Sequence, residues 1–177
     1  MKKNYLFTIA ITCIMALSIT TANAQKESKK FSVGFGLEAG IPLGDIKDAY
    51  NLEGGITIRL SYHVGPGFAT LTSGAIAFLP KSGLGSSTKA SIQMPVKAGY
   101  KYMFHKPFFV MGELGYSSIK VYSDDDGTLV SNKSGGFTYA PSVGVSFNAF
   151  EAAIKYEAVS VTGGTFSNIG LRLGFNF

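Results

Sequence analysis

The last eleven residues of the chain, Ser167 to Phe177, alternate to the end. Ile169, Leu171, Leu173, Phe175 and Phe177 fall on one side at period two, and Gly170, Arg172, Gly174 and Asn176 on the other. That is the pattern of a β-strand, in which successive side chains point to opposite faces. A soluble strand ending a chain normally runs on into polar residues, whereas here a face of large apolar side chains is carried to Phe177 itself. Such a face needs lipid or a core. Alternating segments of about ten residues that close on an aromatic are the unit from which transmembrane barrels are built.

The other end of the chain is a leader. Lys2 and Lys3 supply a basic start, Tyr5 to Ile19 a mostly apolar run, and Ala22-Asn23-Ala24 a small-x-small cleavage site before Gln25. This is the order of a secretory signal peptide, and the run is shorter than the roughly twenty apolar residues of a spanning helix. Cleavage would divide the chain into a signal peptide, 1–24, and a single domain, 25–177. Cys13 sits inside the apolar run, after Thr12, which does not suit a lipidation signal. Its loss leaves no cysteine and therefore no disulfide. Two lysines and no acid leave with the leader, so a formal charge of +5 becomes +3. With no Lys/Arg run after Lys30, a nucleic-acid patch is not expected.

Between these ends the same unit recurs. Phe31, Val33, Phe35, Leu37, Ala39 and Ile41 alternate with Ser32, Gly34, Gly36, Glu38 and Gly40. Ile56 to Val64 oppose Thr57, Arg59, Ser61 and His63, and Ile92 to Phe104 oppose Gln93, Pro95, Lys97, Gly99 and Lys101. Phe108 to Tyr116 oppose Glu113 and Gly115, Phe137 to Phe147 oppose Ser142, Gly144 and Ser146, and Ile154 and Tyr156 oppose Glu151, Lys155 and Glu157. Phe68 to Leu79 keeps no single phase, and its facing stays open. Pro95 marks a bulge or a break in pairing. A change of phase after Ser117-Ser118 predicts a bulge there, with Ile119 and Val121 on the apolar side. Counting the closing strand gives eight. Loops are expected over Pro42–Glu53, Pro80–Lys89, Ser123–Gly136 and Val161–Ser167, with short turns at Gly65-Pro66-Gly67, His105-Lys106-Pro107 and Asn148-Ala149. Loops and turns therefore lie at opposite ends, as in an outer-membrane barrel with its termini in the periplasm.

Both a membrane barrel and a soluble lipocalin-like carrier alternate, and the small-residue face separates them. Facing water it should be densely charged; instead it is mostly Gly, Ser, Thr and Ala, which suit a crowded interior. The opposite face carries aromatics in two girdles. Phe31, Tyr62, Phe68, Tyr102, Phe104, Phe108, Phe147, Phe150, Phe175 and Phe177 fall near the turns, and Phe78, Tyr122, Phe137, Tyr139 and Phe166 near the loops. The fold class is all-β, an eight-stranded antiparallel up-and-down transmembrane β-barrel, taken as a monomer.

Gly40-Ile41-Pro42-Leu43-Gly44-Asp45, Ile92-Gln93-Met94-Pro95-Val96, Gly112-Glu113-Leu114-Gly115-Tyr116 and the closing Gly-Phe-Asn-Phe make Phe31 to Phe177 similar to small outer-membrane barrels of the OmpA/OmpX type. The resemblance implies an outer-membrane location in a Gram-negative envelope. It also implies contact with lipid and lipopolysaccharide, and assembly by periplasmic chaperones and the barrel assembly machinery, with Phe177 as the assembly signal. Roles in such a family run from envelope anchor to adhesin, and none of the matching stretches is a catalytic motif.

Glu38, Arg59, Lys97, Lys101, Glu113, Glu151, Lys155, Glu157 and Arg172 all fall on the inward face. An eight-stranded interior is just wide enough to be filled by side chains, so these charges are expected to pair across adjacent strands. The expected pairs are Lys97 with Glu113, Glu157 with Arg172, and Glu38 with Arg59 or Arg172. A narrow solute pathway is the alternative use. His63, beside Ser61, and His105 raise a lipid A-modifying enzyme, but both lie near turns, away from the lipopolysaccharide leaflet, and no enzymatic role is expected. Asp124, Asp125 and Asp126 could meet a divalent cation or a partner, although the later ligands of a calcium loop are missing. A solvated loop tip explains them as well, and no cofactor or resident metal is expected. A macromolecular partner outside the cell would be met by this longest loop.

Overall fold

Alternation carries the chain through eight strands that close on themselves. In a computed structural model, β1 is Phe31–Leu43, β2 Tyr50–Val64, β3 Gly67–Pro80, β4 Ser91–His105, β5 Phe108–Asp125, β6 Thr128–Phe147, β7 Phe150–Val161 and β8 Gly164–Asn176. The structure describes residues 30–81, 91–125 and 128–177, without the side chains of Asp45 and of residues 122–132. The leader, its cleavage site and Cys13 lie outside the described residues, as does most of the Pro80–Lys89 loop.

Each strand is antiparallel to its sequence neighbours, and β8 returns to β1 to complete the barrel. Closure pairs Phe35 with Phe175, Leu37 with Leu173 and Ile41 with Ile169. These residues, with Ile56, Val96, Leu114 and Ile154, form an apolar outer surface whose members are about half exposed. Buried polar and charged side chains occupy the inside. The arrangement inverts a soluble protein and suits a hydrocarbon solvent, in which every backbone group must be paired within the barrel.

β3 has its even-numbered residues inward. Thr70, Thr72, Ile76 and Phe78 are buried, while Leu71 and Leu79 are exposed. Its phase was illegible for a physical reason. Near the loop end the interior itself is apolar, with Tyr50, Ile76 and Phe78 clustered there and the Tyr50 and Phe78 rings 5.9 Å apart. Inside and outside are then alike in hydropathy, although the pleat continues. The same cause removes the bulge expected at Ser117-Ser118. Register runs unbroken from Met94↔Ser118 to Val96↔Tyr116 and from Ser117↔Gly136 to Ile119↔Ser134, and Ile119 is buried inside. Register shifts occur instead between Tyr50 and Leu52 and between Tyr102 and His105.

Pro95 does break pairing: the β3–β4 ladder passes from Ser73↔Val96 to Ile76↔Gln93 with no change of register. Pro141 lies in a matching gap between Tyr139↔Ala158 and Ser142↔Lys155. A missing N–H thus costs ladder bonds but not alignment.

Three expected loops are mostly ordered structure, and in Val161–Ser167 only residues 162–163 lie between β7 and β8. Pro42–Glu53 divides into the end of β1, a 3-10 turn at Gly44–Asp48 and the start of β2. Ser123–Gly136 is largely strand, with β5 and β6 pairing as far as Asp125↔Thr128. Polar residues on both faces hid it, because a ladder standing in water needs no apolar side. The girdles change as well. Phe78 is buried inside, Phe68 shares the inward register of Thr70, and Phe166 that of Asn168, while the Tyr122 side chain lies outside the described residues. Tyr116, Phe137 and Tyr139 remain as exposed aromatics toward the loop end, against a fuller ring toward the turns.

Candidate functional site in the barrel lumen

The inward charges meet across the lumen as well as along its wall. Glu151, at the start of β7, is fully buried and accepts from three cations. Arg59 Nη1 of β2 lies at 2.6 Å, Lys101 Nζ of β4 at 2.9 Å and Arg172 Nη1 of β8 at 3.0 Å. Further along β7, Glu157 accepts from Lys97 of β4, from Lys155 Nζ at 3.0 Å and from Gln93 Nε2 at 2.5 Å. Lys155 in turn donates to Glu38 of β1. Arg59 Nη2 and Lys97 Nζ stand 3.6 Å and 3.8 Å from the same oxygen of Glu113. Hydroxyls add to the guanidinium shells, Thr72 Oγ1 at 3.0 Å from Arg59 Nε and Thr57 Oγ1 at 3.3 Å from Arg172 Nε, while Arg172 Nη2 is buried without a hydrogen-bond partner among the described residues.

Of the expected pairs, Lys97 with Glu113 is the 3.8 Å contact, and Glu38 meets Arg172 Nε at 3.8 Å. Glu157 is bound by lysines and not by Arg172, and Glu38 bonds Lys155 and not Arg59. The correction is geometric. Long side chains leave the wall nearly perpendicular to it, and in so narrow a barrel their heads reach distant strands as readily as neighbouring ones. Glycines make the room. A Cβ at Gly36 would lie 2.7 Å from the Arg172 guanidinium, and one at Gly174 only 2.5 Å from its Nη1.

Glu53 belongs to this interior and was not found from the sequence, where it was placed at the end of a loop. It is buried, in register with Gly40 and Phe78, and has no cation within 4.0 Å among the described residues. The clue was its phase, two and four residues before Gly55 and Thr57 on the inward face. Counting it, five carboxylates face five cations: Glu38, Glu53, Glu113, Glu151 and Glu157 against Arg59, Lys97, Lys101, Lys155 and Arg172. They are not evenly spread. Arg59, Lys101 and Arg172 gather around Glu151 on the turn side, and Lys97 and Lys155 lie among Glu38, Glu53 and Glu157 on the loop side.

His63 is exposed at the turn-end mouth with its ring 5.1 Å from Phe68, edge to face, and His105 is exposed in the turn. No acid joins either in a salt bridge among the described residues, and no group of three metal-binding side chains occurs among them. The side chains of Asp124 and Asp125, and Asp126 altogether, lie outside the described residues.

Residues 9–177 match the outer membrane protein beta-barrel domain family, nearly the whole chain. The chain belongs to that family. This outer-membrane barrel is similar in fold to the N-terminal β-barrel domain of Pseudomonas aeruginosa OprF, with a TM-score of 0.63 at 12% identity over 82% of this chain and 97% of that one. It is similar also to Ail, the attachment invasion locus protein of Yersinia pestis, at 0.60 and 15% over 83% and 97%. Neisserial surface protein A gives 0.52 and 13% over 83% and 96%. No curated protein matches the outer-membrane barrel in sequence.

Proposed function

We propose that this outer-membrane barrel is a sealed, non-enzymatic scaffold that presents its loop end outside the cell and keeps both termini in the periplasm. The observation that carries the reading is the pair of transluminal bridges, Arg59 to Glu151 and Lys97 to Glu157, which join β2 and β4 to β7 across the bore. A solute could pass only by parting buried ion pairs, each of which would leave an uncompensated charge in a poorly solvated interior. The apolar cluster of Tyr50, Ile76 and Phe78 narrows the loop end further.

Interaction falls to the β5–β6 ribbon. Beyond Lys120↔Ile92, residues 121–125 and 128–132 pair only with each other among the described residues. A stiff two-stranded projection on a rigid barrel is a natural carrier of recognition. One Ail structure holds a heparin analogue, sucrose octasulfate. The aspartates 124–126 give this ribbon the wrong sign for a polysulfate, so a protein surface is the better partner. Lipid and lipopolysaccharide surround the wall, and Phe177 serves the assembly machinery in biogenesis.

Planar-bilayer recording of the refolded barrel tests the seal. A silent barrel is expected; steady unitary currents that change when Lys97 or Glu157 is neutralised would replace the scaffold with a narrow channel. Shortening residues 127–133 is expected to abolish adhesion of cells displaying the barrel to immobilised protein partners while leaving its heat-modifiable gel shift intact.

A further inference from the structure

The turn-end mouth opens into a vestibule of about 1180 Å³ that the scaffold reading does not use. Its walls include Phe68, Met103 and His63, and its polar groups are Lys101, Lys106, Asn176 and small hydroxyls and amides, with no carboxylate side chain among them. Lys101 forms the inner end. It is only 5% exposed, its Nζ lies 4.9 Å from the Phe68 ring centre and 5.2 Å from that of Phe109, and its one salt-bridge partner is Glu151 at 2.9 Å. That carboxylate is already shared with Arg59 and Arg172, so the ammonium keeps unused donors and the turn-side half of the lumen holds more cation than anion.

We propose that this vestibule binds a small carboxylate-bearing amphiphile, with its carboxylate on Lys101 and its apolar body against Phe68 and Met103. The chemistry selects both parts. A buried ammonium with spare donors favours an anion and forms charge-assisted bonds to it, while the aromatic and thioether walls favour a hydrocarbon body. The polar groups of the mouth, Lys106, Ser146, Asn148 and Asn176, lie at the turn end where the ligand enters, with Phe147, Phe175 and Phe177 of the outer wall at its rim.

Among the described residues, no group of the chain fills the role. The Phe177 ring packs against Phe175 at 5.1 Å and Phe35 at 6.2 Å on the outer wall, and its amide donates to Val33 O at 2.9 Å. Lys101 has no second carboxylate within 4.0 Å among the described residues.

The test uses the refolded outer-membrane barrel in lipid nanodiscs with methyl-labelled methionine, titrated with phenylbutyrate or with neutral phenylbutyramide. Met103 lines the vestibule, Met111 lies deeper inside, and Met94 is on the lipid face. Saturable movement of the Met103 methyl signal, with Met94 unmoved, is expected for the carboxylate. The amide and Lys101→Met should each bind about tenfold more weakly or not at all. Rising salt should weaken the carboxylate alone, which keeps the test decisive if Lys101→Met does not fold. Equal response to acid and amide, insensitivity to salt, or parallel movement of Met94 through partition into the bilayer would overturn the proposal.

Discussion

Glu151 and Glu53 are both buried glutamates in one lumen, and they should behave oppositely when neutralised. Glu151 compensates Arg59, Lys101 and Arg172 at once. Glu151→Ala strands those cations and should lower unfolding stability in micelles by about 3–5 kcal/mol, read from a urea titration of the gel shift. Glu53 has no cation within 4.0 Å among the described residues, and its Oε2 is buried without a protein partner. Glu53→Gln removes a desolvated charge and should leave stability unchanged or raise it; a loss above about 1 kcal/mol would show that the carboxylate is compensated after all. The inward position of nine of these charges was legible from parity alone. Which of them meet was not, because parity gives a direction from the wall and says nothing of the far side of a narrow tube.

Strands were legible where inside and outside differ in hydropathy and obscure where they agree. β1, β4 and β8 alternate small or charged against large and apolar, and their facing follows from the sequence. β3 and the end of β5 turn apolar side chains both ways around Phe78 and Ile119, and the sequence of the β5–β6 ribbon, rich in Ser, Asp, Asn and Gly, carries no apolar alternation. Backbone fit adds a constraint that hydropathy does not show. A Cβ at Gly115 of β5 would lie 2.0 Å from the Val96 carbonyl oxygen and 2.7 Å from the Lys97 Cα, with backbone rather than a movable side chain in the way. Gly115→Ala should therefore cost about 1–3 kcal/mol and broaden amide signals along the β4–β5 ladder, whereas Gly112→Ala, which meets nothing within 4 Å, should be nearly silent.

The molecule as a whole is organised around its solvent. Leu37 is 64% exposed, in register with Ile56 and Leu173 across both neighbouring strands. On a soluble protein an arginine there would be harmless. In a bilayer Leu37→Arg should destabilise the barrel by about 2–4 kcal/mol, and the penalty should fall for a site nearer the girdles such as Phe31→Arg. Equal, negligible effects at both positions would mean that lipid does not surround this face. Removal of the terminal aromatic, Phe177→Ser, should slow assembly in cells more than spontaneous refolding in detergent, as judged by the heat-modified fraction over time.

Closure between β1 and β8 also fixes when the barrel can come into being. Glu38 lies on the first strand to be synthesised, and Lys155, to which it bonds, follows 117 residues later. Its other cationic contact, Arg172, lies on the last strand, β8. A chain whose last two strands have not docked therefore holds a carboxylate with no counter-charge and a strand with one open edge, two reasons for the earlier strands not to close alone. Docking of β8 on β1 supplies the partner for both, so the ion pairs that plug the mature bore are complete only once the ring is shut.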